Sequence, residues 1–246
     1  MSSRNFLKNK EDLLFSIINK EKGYAIVDLP QSFLNLVFQK VLNQIAVLSK
    51  EYKFQSIIDA ASFFKQNTEI QFSRNEMTVN KEIIKKEKNQ ILKLISEFTL
   101  KPNLLVNDDL YFRIVRKNKK NEKSIVHRDI YFHNIVRGWE PNPNILNLKL
   151  WIPLYLENNY ALGVIEGSHL DKEFEDCNYL YENGEKTKFT CKFNSSHLQP
   201  LEVKVGQALI FPSTLIHGSV ENNIMGNMRI SSELTIGYDL KKYLIK

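Results

Sequence analysis

The first third of the chain carries apolar residues at helical spacing. After a short β-prone stretch that ends at Pro30, apolar residues recur at helical spacing over residues 33–48. Residues 56–66 and 79–98 repeat this spacing and are polar on the opposite face. The pattern predicts amphipathic helices, each of which packs an apolar stripe against another layer of the fold.

Beyond residue 105 the pattern changes to short β-prone runs separated by turn residues. Residues 146–152 begin with alternating apolar and polar positions, as a half-buried strand does, and Asn183-Gly184 is a strong hairpin signal. Many short strands that follow a helical first third predict a jelly roll. A doubly wound sheet would need helical patterns between the strands, and the sequence after residue 105 contains none.

Composition fits one globular domain. The chain has 246 residues, of which 43% are hydrophobic and 25% charged, and these fractions are ordinary for a folded protein. It contains no apolar run of membrane-spanning length, and its amino terminus lacks a signal-peptide core. We therefore expect a cytoplasmic protein with a single domain over residues 1–246, in which a helix-rich support (1–105) packs on a jelly-roll core (106–240).

The net charge bears on the partners that the chain is expected to bind. The formal net charge of +6 mildly favours an anionic small molecule. No nucleic-acid-binding motif accompanies the lysines, so neither nucleic acid nor a membrane is an expected partner, and the sequence gives no indication of oligomeric state.

Cys177 and Cys191 are too few for a disulfide scaffold and lack zinc-knuckle spacing. Two free thiols are the expectation, although these side chains could also face each other across the predicted hairpin.

A metal-ligating pattern begins in the β-prone stretch 125–129. His127 and Asp129 lie two positions apart there, and on a strand such residues point to the same face. His217 follows a second strand-like run. Two histidines and one carboxylate with open positions form the facial triad of non-haem Fe(II) oxygenases. A lone His-x-Asp pair often arises by chance on an edge strand, so the prediction depends on the complete set.

Arg229, in the strand-like run after His217, could bind a co-substrate. Its planar guanidinium grips a carboxylate bidentately, which suits a dicarboxylic acid. Ser219 and Ser231 are candidate hydroxyl donors to the same carboxylate. A salt bridge with Glu233 would instead give Arg229 a structural role.

These residues lie in a chain that resembles the phytanoyl-CoA dioxygenase family of Fe(II)- and 2-oxoglutarate-dependent oxygenases. The resemblance also rests on a strand that contains Trp151 and on the turn Gly167-Ser168-His169, where Glu166 replaces the family's usual proline. It is clear over residues 111–236 and looser before them. It implies a mainly β fold, the double-stranded β-helix or cupin-like jelly roll, with amino-terminal helices packed on the sheet.

The resemblance implies an activity and a set of site residues. It implies that His127, Asp129 and His217 bind Fe(II) and form the catalytic centre. The residues implied to bind 2-oxoglutarate are Arg229, Ser219 and Trp151, although Trp151 could equally be a core aromatic. The implied reaction uses O2, converts 2-oxoglutarate to succinate and CO2, and usually hydroxylates the substrate. Ascorbate would serve as the reductant in vitro.

Other polar residues are candidates for the substrate pocket. Arg113 and Arg116 lie three positions apart on a predicted strand and therefore on opposite faces, so one of them is expected to point inward. The loop after Asp129 adds His133, Arg137 and Trp139 near the predicted pocket mouth. For His169 and His197 we expect structural or supporting roles rather than metal binding, and the same holds for His133.

The sequence therefore predicts an Fe(II)- and 2-oxoglutarate-dependent dioxygenase that hydroxylates a small polar metabolite, with a sugar or a nucleotide-linked sugar as the candidate. Two alternatives stay open: a cupin-like, metal-dependent sugar isomerase or epimerase, and a non-catalytic jelly roll that binds a small molecule. The complete metal-ligating set argues against lost chemistry. Arg229 argues against the isomerase, because that reaction needs no anchor for a dicarboxylate.

Overall fold

The computed structural model describes most of the chain from residue 10 to residue 241. The residues outside the description are 1–9, 11, 15, 19–21, 51, 74–75, 118, 120–121, 132–141, 143, 159–161, 172–176, 183–184, 221–227 and 242–246. Only the backbone is described for residues 131, 177–182 and 185–190. His133, Arg137 and Trp139, which the sequence places near the pocket mouth, and the turn Asn183-Gly184 lie outside the described residues.

Helices cover one face of the main sheet and bury the predicted apolar stripes. They are α1 (Gln31–Leu48), α2 (Ile57–Gln66) and α3 (Lys81–Ile95). Ser56 begins α2 by accepting a hydrogen bond from the Asp59 amide, and the Asn80 side chain accepts one from the Glu82 amide at the start of α3. The stripes join the outer face of the main sheet in one apolar core.

Two antiparallel sheets form the body of the fold. The described strands are β1 (Ala25–Asp28), β2 (Leu104–Leu105), β3 (Tyr111–Arg116), β4 (Ile145–Leu156), β5 (Leu162–Val164), β6 (Cys177–Glu182), β7 (Glu185–Cys191), β8 (Gln199–Leu201), β9 (Gln207–Pro212), β10 (His217–Ser219) and β11 (Met228–Asp239). The main sheet has the order β1–β9–β4–β11–β2, and β3 also pairs with β11. The smaller sheet has the order β10–β5–β8, and β6 pairs with β7 in a hairpin.

The main sheet has a helix-packed outer face and an inner face that looks towards the smaller sheet. On β4, Leu150 and Ile152 belong to the core shared with the helices, whereas Lys149 and Trp151 line a cavity between the sheets. Because neighbouring strand residues point to opposite faces, this alternation decides which side chains reach the site. The predicted jelly roll with packed helices is confirmed, as an open pair of antiparallel sheets rather than a closed barrel.

The amino-terminal third also supplies strands to the main sheet. Strand β1 pairs with β9, and β2 pairs with β11. The division into a support over 1–105 and a core over 106–240 stays a prediction. Among the described residues, no helix combines the length and the apolar character that crossing a membrane requires.

The expectation that both cysteines are free thiols is wrong. Cys191 is disulfide-bonded, and no described cysteine is free. The backbone register of the hairpin places Cys191 directly opposite Cys177, the other of the two cysteines in the chain. Directly opposite positions on antiparallel strands lie within reach of a disulfide. The hairpin register therefore supplies the geometry that the spacing of the cysteines left open.

Candidate active site

Three buried residues aim possible metal-binding atoms at one another. His127 and His217 form an isolated antiparallel bridge, and Asp129 begins the single helical turn Asp129–Tyr131. The ligand atoms of the three residues all lie within 4.8 Å of one another. The Asp129 carboxylate lies between the imidazoles, with 3.5 Å from Oδ1 to His127 Nε2 and 3.8 Å from Oδ2 to His217 Nε2.

The local backbone differs from the continuous strand expected over residues 125–129. Only His127 makes a bridge, through backbone hydrogen bonds of 2.9 Å in both directions with His217. The chain then turns, and the Ile130 amide donates to the Ser213 carbonyl. The predicted strand is wrong at Asp129 because these long-range backbone contacts replace strand pairing. The turn nevertheless brings the carboxylate beside the imidazole of His127.

Hydrogen bonds fix the tautomer of both imidazoles. Nδ1 of His127 lies 2.7 Å from the Ile125 carbonyl oxygen, and Nδ1 of His217 lies 3.0 Å from that of Leu215. Because a carbonyl oxygen can only accept, each Nδ1 carries a proton, and in a neutral imidazole this leaves the lone pair on Nε2. Metal-ligating histidines are usually oriented in this way by a partner of the other ring nitrogen.

The electrostatics of the three residues suit a divalent cation. Burial, with His127 nearby, lowers the pKa of His217 to about 4, so this imidazole is neutral. Burial alone would raise the pKa of Asp129, but Lys149, His217 and His127 outweigh it and hold that pKa well below its usual range. The Asp129 carboxylate is buried, and its Oδ2 lies 3.3 Å from Lys149 Nζ. Two imidazoles and one carboxylate match the ligands that non-haem Fe(II) prefers.

Arg128, between two of these residues, fastens the segment that carries them. Its fully buried guanidinium donates hydrogen bonds to the carbonyls of Ser168 and Thr214 and, at 2.9 Å, to Asp171 Oδ2. Thr214 belongs to the loop that leads into His217. Arg128 therefore ties the His127–Asp129 segment to the loop that positions the second histidine. No role for Arg128 follows from the sequence, because an arginine within a short motif does not indicate which distant carbonyls it will reach.

The residues expected to bind 2-oxoglutarate lie together on the inner face. Arg229 is 1% exposed, and its Nη2 donates a 3.0 Å hydrogen bond to Ser219 Oγ. Ser124 lies 3.1 Å from the same hydroxyl, and the Trp151 ring centre lies 5.7 Å from the guanidinium carbon of Arg229. Ser219 rather than Ser231 is therefore the hydroxyl that contacts Arg229. Burial, reinforced by Arg113, lowers the pKa of Arg229 to about 9, so an anion bound here would stabilise the charged guanidinium.

A cavity extends from the three ligands along the inner face of the main sheet. Lys149 Nζ lies 3.3 Å from Asp129 Oδ2 and 3.3 Å from Glu233 Oε2. Arg113 Nε lies 3.7 Å from Glu233 Oε1. Lys149 stands out in the sequence as a charge within an apolar strand, two positions before Trp151 and on the same face. That signal was available, but the sequence did not show which carboxylates would meet the lysine.

The remaining candidates that the structure describes differ in their positions. Arg113 lines the cavity, whereas Arg116 points to the other side and pairs with Glu122. The Arg116 guanidinium also donates to carbonyls at and after the end of α2, so its role is structural. Among the described residues, the metal-ligating group contains neither His169 nor His197. His169 packs so closely on Gly23, whose φ is +72°, that a Cβ there would lie 2.2 Å from its Nδ1.

Comparisons with known proteins identify the family and the fold. The sequence profile of the phytanoyl-CoA dioxygenase family matches residues 20–226. Among solved structures, the non-haem, α-ketoglutarate-dependent epimerase SnoN from nogalamycin biosynthesis superposes with a TM-score of 0.51 at 13% identity, over 94% of this chain and 82% of that one. EctD from S. alaskensis superposes with a TM-score of 0.47 at 14% identity, over 97% and 77%. No curated protein sequence matches significantly. The SnoN superposition supports the jelly-roll fold.

Proposed function

Because the chain belongs to the phytanoyl-CoA dioxygenase family, we propose that His127, Asp129 and His217 hold Fe(II) and that Arg229 anchors 2-oxoglutarate. Members of this family are non-haem iron, 2-oxoglutarate-dependent oxygenases, and the chain is an enzyme of this kind. The assignment of these four residues to their roles is our proposal. It rests most directly on the convergence of two imidazoles, each oriented through its Nδ1, and a buried carboxylate.

The protein prepares the site for each ligand. The Nδ1 hydrogen bonds hold both imidazoles in the orientation and tautomer that a metal requires. Bound Fe(II) and 2-oxoglutarate supply O2 activation and the oxidising equivalents. The buried guanidinium of Arg229 and the Ser219 hydroxyl would bind the distal carboxylate, which fixes the length and the charge of the 2-oxo acid. Trp151 lines the space between the metal ligands and Arg229.

The substrate that we propose is a small polar metabolite. The cavity beside the metal ligands is lined by charged, amide and hydroxyl groups, and a sugar is the class that the sequence analysis favoured. A nucleotide-linked form, an anionic substrate and a cytoplasmic location stay predictions. Disulfides are uncommon in reducing compartments, so the bonded Cys191 does not support a cytoplasmic location. A sugar isomerase has no need of the Arg229–Ser219 pair, and a non-catalytic binding module has no need of the complete metal-ligating set.

A metal-binding and turnover assay tests the proposal. With Fe(II), ascorbate and 2-oxoglutarate, the wild-type protein should release succinate. The variants His127→Ala, Asp129→Ala and His217→Ala should each lose this activity and bind Mn(II) weakly, while the fold stays intact by circular dichroism. His169→Ala is the matched control and should retain the metal. Full Fe(II) or Mn(II) binding by Asp129→Ala would overturn the assignment of the metal ligands.

A further inference from the structure

The inner wall of the cavity carries charged side chains that the binding of iron and 2-oxoglutarate does not use. Arg113 on β3, Glu233 on β11 and Lys149 on β4 come from three neighbouring strands and line the same cavity. Glu233 lies between the two cations, at 3.3 Å from Lys149 and 3.7 Å from Arg113. We call these three residues the charged wall. Its position beside Asp129, the proposed metal ligand, places it where the substrate must lie.

Most charged groups of the described lining already have an ionic partner. Lys149 contacts Asp129 and Glu233, Arg113 contacts Glu233, and Asp109 pairs at 2.9 Å with Lys81, which lies outside the lining. Fe(II) carries two positive charges and 2-oxoglutarate two negative ones, so their binding adds no net charge to the cavity. The +6 net charge of the chain therefore belongs to other parts of the protein. The expectation of an anionic substrate, which came from that net charge, has no counterpart in the described lining.

A charged substrate would have to break pairs that the protein has already made. Lys149 and Glu233 are only 16% and 17% exposed, and separating a largely buried ion pair is strongly unfavourable. A phosphate would need cations that Glu233 and Asp129 already neutralise. An amino acid would need both of its charges to displace an existing partner. A neutral molecule would leave all of the pairs in place.

We propose that the substrate is neutral and polyhydroxylated, an unphosphorylated sugar or a polyol, and that the charged wall binds its hydroxyl groups. This inference rests on the proposed oxygenase function and names the substrate class of the same site. It separates the sugar from the nucleotide-linked sugar, which carries at least one phosphate.

The chemistry of the charged wall suits hydroxyl groups. A carboxylate can accept about four hydrogen bonds, an ammonium donates three and a guanidinium five, so paired members still have capacity for hydroxyls. Asn107 and Thr235 line the same cavity and add amide and hydroxyl groups. Tyr111 and Phe211 add aromatic faces, against which the C–H face of a sugar ring can pack. Together these groups offer alternating donors and acceptors beside an apolar surface.

The first test compares substrate classes on the wild-type enzyme. Succinate formation with Fe(II) and 2-oxoglutarate is measured alone and with three pools: neutral sugars and polyols, phosphorylated and nucleotide-linked sugars, and amino acids. We expect only the neutral pool to accelerate succinate formation. Acceleration by either charged pool, or by none of the three, would overturn the inference. Absence of 2-oxoglutarate binding in the same samples would instead count against the proposed function.

The second test asks whether Glu233 keeps anions out. Sulfate is titrated into the Mn(II)- and 2-oxoglutarate-loaded protein as an anion probe. Glu233→Gln removes one negative charge from the wall, so sulfate should bind the variant roughly tenfold more tightly than wild type. Glu87→Gln, at a helix-surface ion pair with Lys40, is the matched control and should behave as wild type does. Equal sulfate affinity in the wild type and Glu233→Gln would contradict the exclusion of anions by Glu233.

Discussion

Arg229 and Lys149 are largely buried cations in one cavity, but their surroundings differ. Arg229 donates to the neutral hydroxyl of Ser219, and burial together with Arg113 outweighs the attraction of Glu233 and lowers its pKa to about 9. Burial also acts to lower the pKa of Lys149, but Asp129 and Glu233 outweigh it and raise that pKa. The charge at the Arg229 end is therefore stabilised by an arriving anion, whereas the charge of Lys149 is already stabilised by the protein. The position of a buried cation does not by itself identify an anion site; its existing partners decide.

The largest effect on stability is expected at the charged wall. Glu233→Ala leaves Lys149 and Arg113 without their shared carboxylate, and breaking a buried pair costs about 3–5 kcal/mol. Arg229→Met removes a cation whose charged form burial disfavours, so it should lower the free energy of unfolding much less. Urea denaturation of the metal-free proteins without 2-oxoglutarate measures both values. Equal losses of unfolding free energy in the two variants would contradict the difference between the surroundings of Lys149 and those of Arg229.

A smaller effect is expected at Arg128. This residue is not among the described residues that line the cavity, but it positions the segment that carries two of the metal ligands. Arg128→Met should weaken Mn(II) binding by about 10–100-fold, as is typical when a group that supports a metal ligand is lost. Arg128→Lys keeps the charge without the planar fork and should fall between the variant and the wild type. Competition against a fluorescent chelator gives the affinities. Unchanged Mn(II) affinity in Arg128→Met would show that the segment holds its position without the guanidinium.

The smallest effect concerns salt. Attraction between exposed charges is screened over about 8–10 Å at physiological ionic strength. An anionic substrate, as the net charge of the chain suggests, should show a Michaelis constant that rises with salt. The Michaelis constant of a neutral substrate that binds the charged wall should depend very little on salt. Steady-state turnover over a range of potassium chloride concentrations distinguishes the two, and a steep rise would favour the net charge over the wall as the guide to the substrate.

The local patterns of the sequence predicted much of this molecule. Helical spacing located α1 to α3, and short β-prone runs located several strands of the jelly roll, among them β3, β4, β9 and β11. The family profile confirms the predicted family, enzyme class and cofactors. His127, Asp129 and His217 could be named because a facial triad requires specific residue types, and the structure brings them together. Their roles as ligands stay proposals until metal binding is measured.

The parts that the sequence did not predict depend on long-range register. Asp129 leaves the expected strand because the Ile130 amide bonds to Ser213, far along the chain. Glu233 was considered a partner for Arg229, four positions away, but it pairs with Lys149 and Arg113 from neighbouring strands. No local pattern specifies which strands become neighbours. The bond at Cys191 depends in the same way on the pairing of β6 with β7.

The most direct test compares the two buried cations in their binding of 2-oxoglutarate. The co-substrate is titrated calorimetrically, without O2, into Mn(II)-loaded wild type, Arg229→Ala, Arg229→Lys and Lys149→Met. If Arg229 anchors the distal carboxylate, its loss should cost about 3–5 kcal/mol, which is roughly a hundredfold to a few thousandfold in affinity. Arg229→Lys should fall between, and Lys149→Met should bind 2-oxoglutarate nearly as the wild type does. Equal affinities for wild type and Arg229→Ala, or a larger loss in Lys149→Met, would contradict the assignment of the Arg229 end to the co-substrate.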